Sequence, residues 1–246
     1  MTEGHPLHEL IQLVFDTPVF EYQGPRKIVT CLTWTPERLP DPPDLTLLGY
    51  DPRTKMRNLA RTYLNHVDID RVKRQLQKRA RQQFTSLACS MRGEEKPEWS
   101  MGHCMQNAIV GVTRNRRVVT MQYRSTEVLQ KFAADLAFLP VLFEALELEP
   151  QQVTFQFAYA YLSMVFVPSA FNYLEPIPFL EYLKQREPHL FRIAVRYLSR
   201  AFRPNAEPMP YSPWERQRKL AHRMYPEKIP EIFEYLLTQR EDGRYA

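Results

Sequence analysis

Val118-Val119-Thr120-Met121-Gln122-Tyr123-Arg124-Ser125-Thr126-Glu127, followed almost at once by the apolar run Leu129 to Leu148, is the stretch that decides the fold. Val118 to Tyr123 is rich in β-branched and aromatic residues, which suit a pleated, half-buried surface, and it reads as a strand. Leu129 to Leu148 carries apolar residues at helical spacing and reads as a central buried helix. Pro140 has no N–H to donate, so it either kinks that helix or marks a second start. The Arg124-Ser125 pair therefore sits between a strand and a buried helix.

Outward from this stretch, Phe84 to Ser90 and Asn107 to Thr113 are also strand-like, and Arg114-Asn115-Arg116-Arg117 joins the latter to Val118 as a hairpin turn without glycine. Val153 to Val167 is nearly continuous apolar and aromatic sequence, one strand or two, and too short to span a bilayer. Near the N-terminus, Pro6 to Phe15 reads as a helix and Lys27 to Thr35 as a strand, and Pro36 to Pro43 is a rigid loop. A helix runs from Asp51-Pro52 through Asn65, and Asp68 caps another that turns Ile69, Val72, Leu76 and Ala80 inward. Its outer face is Arg71, Lys73, Arg74, Lys78 and Arg79. Helices return at Phe179 to Gln185, His189 to Phe202, Pro213 to Met224 and Ile229 to Gln239. The class is α/β, or α+β, in a single domain over residues 1–246.

With 44% hydrophobic and 12% aromatic residues, this is the composition of a globular protein with a packed core. No run approaches a membrane span, and the start of the chain lacks a secretory pattern, which predicts a cytoplasmic protein. Cys31, Cys89 and Cys104 have no metal-binding spacing and cannot all pair, so they are expected reduced. Lys+Arg 33 against Asp+Glu 28 is a modest excess spread along the chain, the charge of an ordinary basic surface, and is compatible with acidic small molecules.

Three groups carry chemistry. Cys104, in Gly102-His103-Cys104-Met105-Gln106-Asn107, precedes a strand, where a thiolate could reach a cavity with His103 or nearby arginines depressing its pKa. Lone cysteines are more often small buried hydrophobes. Arg124-Ser125 offers a planar fork of donors and a hydroxyl, groups that recognise a phosphate dianion. Asp135 stands among Phe132-Ala133-Ala134 and Leu136-Ala137-Phe138, where an unpartnered carboxylate costs several kcal/mol; a helix N-cap is its structural explanation.

The order Cys104, Arg124-Ser125, Asp135, with Arg124 twenty positions after Cys104 and Asp135 eleven after Arg124, resembles the thymidylate synthase superfamily from about Asp68 to about Pro168, and within it the phage deoxycytidylate hydroxymethylases. The resemblance implies a three-layer fold in which a mixed sheet packs against helices and a homodimer forms through the sheets. It implies Cys104 as the nucleophile that adds to C6 of a pyrimidine nucleoside monophosphate, with 5,10-methylenetetrahydrofolate as one-carbon donor. Arg124 and Ser125 would hold the 5'-phosphate, helped by Arg81, which reaches the partner subunit's site in the family. Asp135 would read the cytosine edge, and Tyr50 would assist proton transfer at C5. Glu127, where the family has aspartate, is expected to be catalytic with Cys104 and Tyr50, and Gln106 and Ser163 are expected to bind substrate. The family's His-x-Tyr for the sugar is absent, Tyr161-Leu162-Ser163-Met164-Val165 standing there, and its catalytic glutamate has no counterpart before Tyr50.

The expected activity is pyrimidine nucleotide C5 hydroxymethyl transfer on (deoxy)cytidine monophosphate. Its rivals are a nucleotide-binding relative with altered or lost chemistry, and a basic nucleic-acid-binding protein built around Arg71 to Arg81.

Overall fold

The computed structural model describes residues 7–18, 20–39, 41, 44–65, 67–79, 84–90, 104–113, 116–205 and 213–241. Its strands are β1 (Phe20–Gln23), β2 (Arg26–Trp34), β3 (Phe84–Ser90), β4 (Met105–Thr113), β5 (Arg117–Glu127) and β6 (Gln152–Ser163), in the sheet order β1-β2-β6-β5-β4-β3. Every neighbouring pair is antiparallel except β5 and β6, which are parallel. Helix α4 (Lys131–Ala145) makes that crossover. The remaining helices are α1 (His8–Asp16), α2 (Pro52–Tyr63), α3 (Ile69–Arg79), α5 (Val167–Ala170), α6 (Pro176–Arg186), α7 (Pro188–Ala201), α8 (Pro213–Met224) and α9 (Ile229–Glu241). No helix among the described residues is long and apolar enough to cross a membrane.

Local chemistry accounts for most boundaries. Asp51 caps α2 by accepting from the Thr54 amide at 2.7 Å, and Asp68 accepts from the Arg71 amide at 2.9 Å. Helix α4 runs through Pro140, which lies exposed within it. The expected strand over Val153 to Val167 stops at Ser163, and residues 164–170 are helical instead. There the Met164 amide turns to the Pro25 carbonyl at 2.9 Å, and Pro168 takes an early position of α5, where its missing N–H is no loss. Strand β1 was not expected, because none of its four side chains is buried and it shows no alternation. It exists by pairing with β2 across the two-residue Gly24-Pro25 loop, where Gly24 adopts φ +56°.

An aromatic cluster joins α4 to the sheet: Phe132 lies 5.4 Å from Phe155, 5.2 Å from Phe157 and 5.5 Å from Tyr123 between ring centroids. Trp34 on β2 stacks on Phe155, and its indole N–H donates to the α1 carboxylate of Glu9 at 3.2 Å. The described residues thus make two layers, helices over one face of the sheet, rather than the three expected. The other face is polar and open: Thr30, Thr33 and Gln156 are exposed there. Across it Asn107 donates to Gln122 at 3.2 Å and Gln122 to Gln156 at 3.1 Å.

One irregularity crosses four strands. The buried residues step by three instead of two at Met105 to Ala108 on β4, Tyr123 to Thr126 on β5, Phe157 to Ala160 on β6 and Val29 to Leu32 on β2. The ladders skip at the same level: β4 slips register between Met105 and Asn107, while Arg124, Ala158 and Cys31 have no paired partner. Cys31 has φ +55°, a left-handed conformation that costs a non-glycine residue about 1 kcal/mol or more. Such a row of bulges inverts the side-chain phase. Odd-numbered residues of β6 face the core before it and even-numbered ones after it.

At the β1–β2 end, Lys27 is buried, its ammonium 2.5 Å from Glu187 Oε1 and 2.9 Å from the Phe15 carbonyl, with the Tyr22 hydroxyl donating to the other Glu187 oxygen. Removing one partner of such a pair strands a charge in the core. Glu187→Leu is expected to lower unfolding free energy by roughly 3–5 kcal/mol, and adding Lys27→Met to recover most of that loss, as read from urea midpoints at pH 7.

Candidate active site

Beyond the row of bulges, on the side where β5 and β6 end and β2 and β4 begin, side chains freed from the core surround a cavity of about 820 Å³. Arg26 contributes from the start of β2, Tyr161 and Ser163 from the end of β6, and Lys131 from the first turn of α4. Tyr50 comes from the loop before α2, and Arg216, Lys219 and Arg223 come from one face of α8. The loop carrying Tyr50 is held by Gln130, which donates to the Leu48 carbonyl at 2.8 Å, and by Asn172, which donates to the Leu47 carbonyl at 2.6 Å. Gly49, at φ +76°, permits the turn, and a Cβ there would come within 3.0 Å of Leu220 on α8. Five cations therefore ring the cavity, and no carboxylate among the described residues lines it.

Two carboxylates lie behind this wall. Glu127 is fully buried and caps α4 by accepting from the amides of Leu129 at 3.1 Å, Gln130 at 2.8 Å and Lys131 at 3.4 Å, and from Ser163 at 3.4 Å. Burial pushes its pKa up to about 7 against the pull of those four amides. Asp135 lies one turn into α4, buried, with the Tyr63 hydroxyl donating at 3.5 Å. Burial raises it to about 7 as well, opposed by the Lys55 ammonium and the Tyr63 hydroxyl. Lys55 itself lies 4.6 Å over the Tyr50 ring. Tyr50 is pushed up to about 12 by burial and by the charges of Glu127 and Asp135, with Arg216 opposing.

Cys104 is half-buried at the start of β4, and its carbonyl accepts from the Arg124 amide at 2.8 Å. Its thiol pKa is raised, the reverse of the depression expected from sequence. Burial and the Asp135 charge raise it, and together they outweigh Arg124, a hydrogen bond with Ser125, and Lys131, which pull it down. The sulfur, Ser125, Arg124, Lys131 and Asp135 thus share one electrostatic environment.

Of the residues singled out from sequence, Tyr50 and Ser163 line the cavity. Cys104, Ser125, Glu127 and Asp135 do not line it; the first two are linked to it through Lys131, whose charge bears on the Cys104 sulfur, and the carboxylates through Tyr50, on which both their charges bear. Arg124 and Gln106 line a second hollow of about 740 Å³ on the open face of the sheet, with Cys31, Asn107, Gln122 and Gln156. Arg81 and His103 lie outside the described residues. Sequence reading passed over Arg26, Lys131, Arg216 and Arg223, and it treated Tyr161 only as part of a missing motif. The useful signal was Arg26 directly after Gly24-Pro25, where a tight turn points the first strand residue at the sheet end.

The raised pKa of Asp135 makes a stability statement. A folded-state value near 7 against an ordinary 3.8 means the native state holds a proton that the unfolded chain releases, so the carboxylate's penalty is absent below pH 4, grows between about pH 4 and 7, and is constant above that. Asp135→Asn is expected to be more stable than the wild type by roughly 2–4 kcal/mol at pH 8, and the difference to vanish near pH 4, as measured by chemical denaturation at both pH values.

No protein-family model matches the chain, and no curated protein sequence matches it significantly.

Proposed function

We propose that this chain is a thymidylate synthase-like enzyme that transfers one carbon to C5 of a cytidine nucleotide, a pyrimidine nucleotide hydroxymethyltransferase. The observation that carries this reading is that Cys104 and the buried Asp135 share one electrostatic environment with Lys131, which lines a neighbouring cavity ringed by five cations. A base toward Cys104 and Asp135 and phosphate at the cationic rim fit that arrangement, and the volume lies in the range of small-molecule sites, roughly 300–1,000 Å³.

Cys104 must lose its proton before its sulfur adds to C6 of the ring. Asp135 is the carboxylate whose charge bears on that sulfur, and its pKa near 7 suits it to accept the proton. Taking it up removes the second largest influence holding the thiol's pKa high. The protonated Asp135 then donates to N3 of cytosine, while its carbonyl oxygen accepts from the 4-amino group. Addition at C6 makes C5 nucleophilic. Arg124 and Ser125, beside the sulfur, favour the thiolate, and Arg26 and Lys131 on the cavity wall take the 5'-phosphate. Tyr161, with Arg26 at 5.6 Å from its ring, stands between base and phosphate for the sugar.

The aromatic wall of Tyr50, Tyr161 and Phe166 fits a folate, which when bound supplies the carbon unit. The sheet's open polar face fits a second copy of the chain, giving the homodimer of this reading. One observation favours a nucleotide-binding protein with lost chemistry: the raised thiol pKa leaves Cys104 protonated at rest.

Incubation with each pyrimidine monophosphate and methylenetetrahydrofolate is expected to add CH2O to cytidylate, seen by mass, where a gain of CH2 would indicate methylation. Cys104→Ala should abolish tritium release from C5, and persistent exchange would falsify its role. Tight binding without any exchange in the wild type would favour the lost-chemistry reading. Asp135→Asn is expected to shift the rate preference toward uridylate by about a hundredfold or more, measured as the ratio of kcat/KM values.

A further inference from the structure

The cationic rim is larger than a single phosphate requires. Arg26 and Lys131 face the cavity from the sheet and α4, and a phosphate dianion between them is offset by those two charges. Arg216, Lys219 and Arg223 remain. They recur at intervals of three and four residues, which puts them on one stripe of α8, and that stripe forms the outer wall of the same cavity. Among the described residues, Arg26, Lys131, Arg216 and Arg223 form no ion pair with a carboxylate, and Lys219 only reaches Glu215 at 3.8 Å. Glu215 is already committed to Arg218, with both contacts at 2.8 Å. Among the described residues the stripe's only counter-charge is thus the Glu215 carboxylate that Lys219 shares with Arg218, while three like charges on one helix face repel one another.

The cations differ in what they act on. Lys131 and Arg124 are among the charges that bear on the Cys104 sulfur, and no cation of α8 is. Arg216 bears on Tyr50, which the charges of Glu127 and Asp135 also reach. A ligand whose base meets Cys104 and Asp135 and whose first phosphate meets Arg26 and Lys131 would carry any further phosphates toward α8.

On the reading of the cavity as a nucleotide site, we propose that its preferred ligand is a pyrimidine nucleoside triphosphate, with the β- and γ-phosphates held by Arg216, Lys219 and Arg223. The shared chemistry is a flexible polyanion, which a polyglutamylated folate also offers, and the test separates the two.

The full chain is titrated by calorimetry with dCMP, dCDP and dCTP, and with tetrahydrofolate carrying one or five glutamates, at low and moderate salt. The triphosphate is expected to bind at least about tenfold more tightly than the monophosphate, with the advantage shrinking as salt rises. In Arg216→Gln/Arg223→Gln, which removes the two charges at exposed positions, the advantage should collapse to about onefold while dCMP affinity stays within about twofold. Equal binding of mono- and triphosphate, or an advantage that survives in the double variant, overturns the inference and leaves the nucleotide reading intact. An α8-dependent gain seen only for the pentaglutamate overturns it in favour of the folate tail. Binding of no nucleotide at all overturns both this inference and the reading beneath it.

Discussion

The row of interruptions across β2, β6, β5 and β4 is the constraint on which the rest of this molecule depends. A bulge in one strand alone would break its ladders on both sides. Four strands interrupted at one level keep their pairing above and below it. The row divides the sheet into a conventional part, where alternate residues pack under α4, and a part with inverted phase. Because β2 and β4 run against β6 and β5, the inverted part collects the first residues of one pair and the last residues of the other. That is how Arg26, Cys104, Ser125 and Tyr161, spread over 135 positions of sequence, come to one end of the sheet.

The electrostatics follow from where helix and sheet meet at that end. Helix α4 begins as β5 finishes, and its exposed amides need an acceptor. Glu127 supplies it, which commits that carboxylate to the backbone and leaves Asp135, one turn later, as the acidic group nearest the sulfur. Both are shielded from water while the cations stand in it. Anionic ligands thus meet an attractive rim before they meet the buried negative charges, and the inner carboxyl is free to change protonation without unpairing a salt bridge.

Much of this was legible from residue types. Asp51 and Asp68 announced their helices because a short acceptor before an amphipathic run has few other uses. The Val118 to Tyr123 strand and the buried helix after it stood out for the same reason: their periods are long enough to see. The bulges were not legible, since a three-residue step within Val153 to Val167, where nearly every side chain is apolar, leaves no trace in the pattern. Tyr161 was missed with them, its orientation being decided by the phase. Glu127 could be placed from sequence but not interpreted, because its partners are backbone amides, which no residue type reveals. The cations of α8 carried no signal in the sequence beyond a helix, and the packing of Gly49 against Leu220 shows which way their face turns.

The buried pair of Lys27 and Glu187 has a temporal consequence. The two residues are 160 positions apart, and neither charge tolerates the interior without the other. During synthesis the β1–β2 hairpin is therefore complete long before it can settle in place; the edge of the sheet waits for the start of α7. Contacts of such long range slow folding generally. Until α7 arrives, the Lys27 ammonium has no buried partner, and an edge that carries an unpaired charge is a poor template for association with other chains.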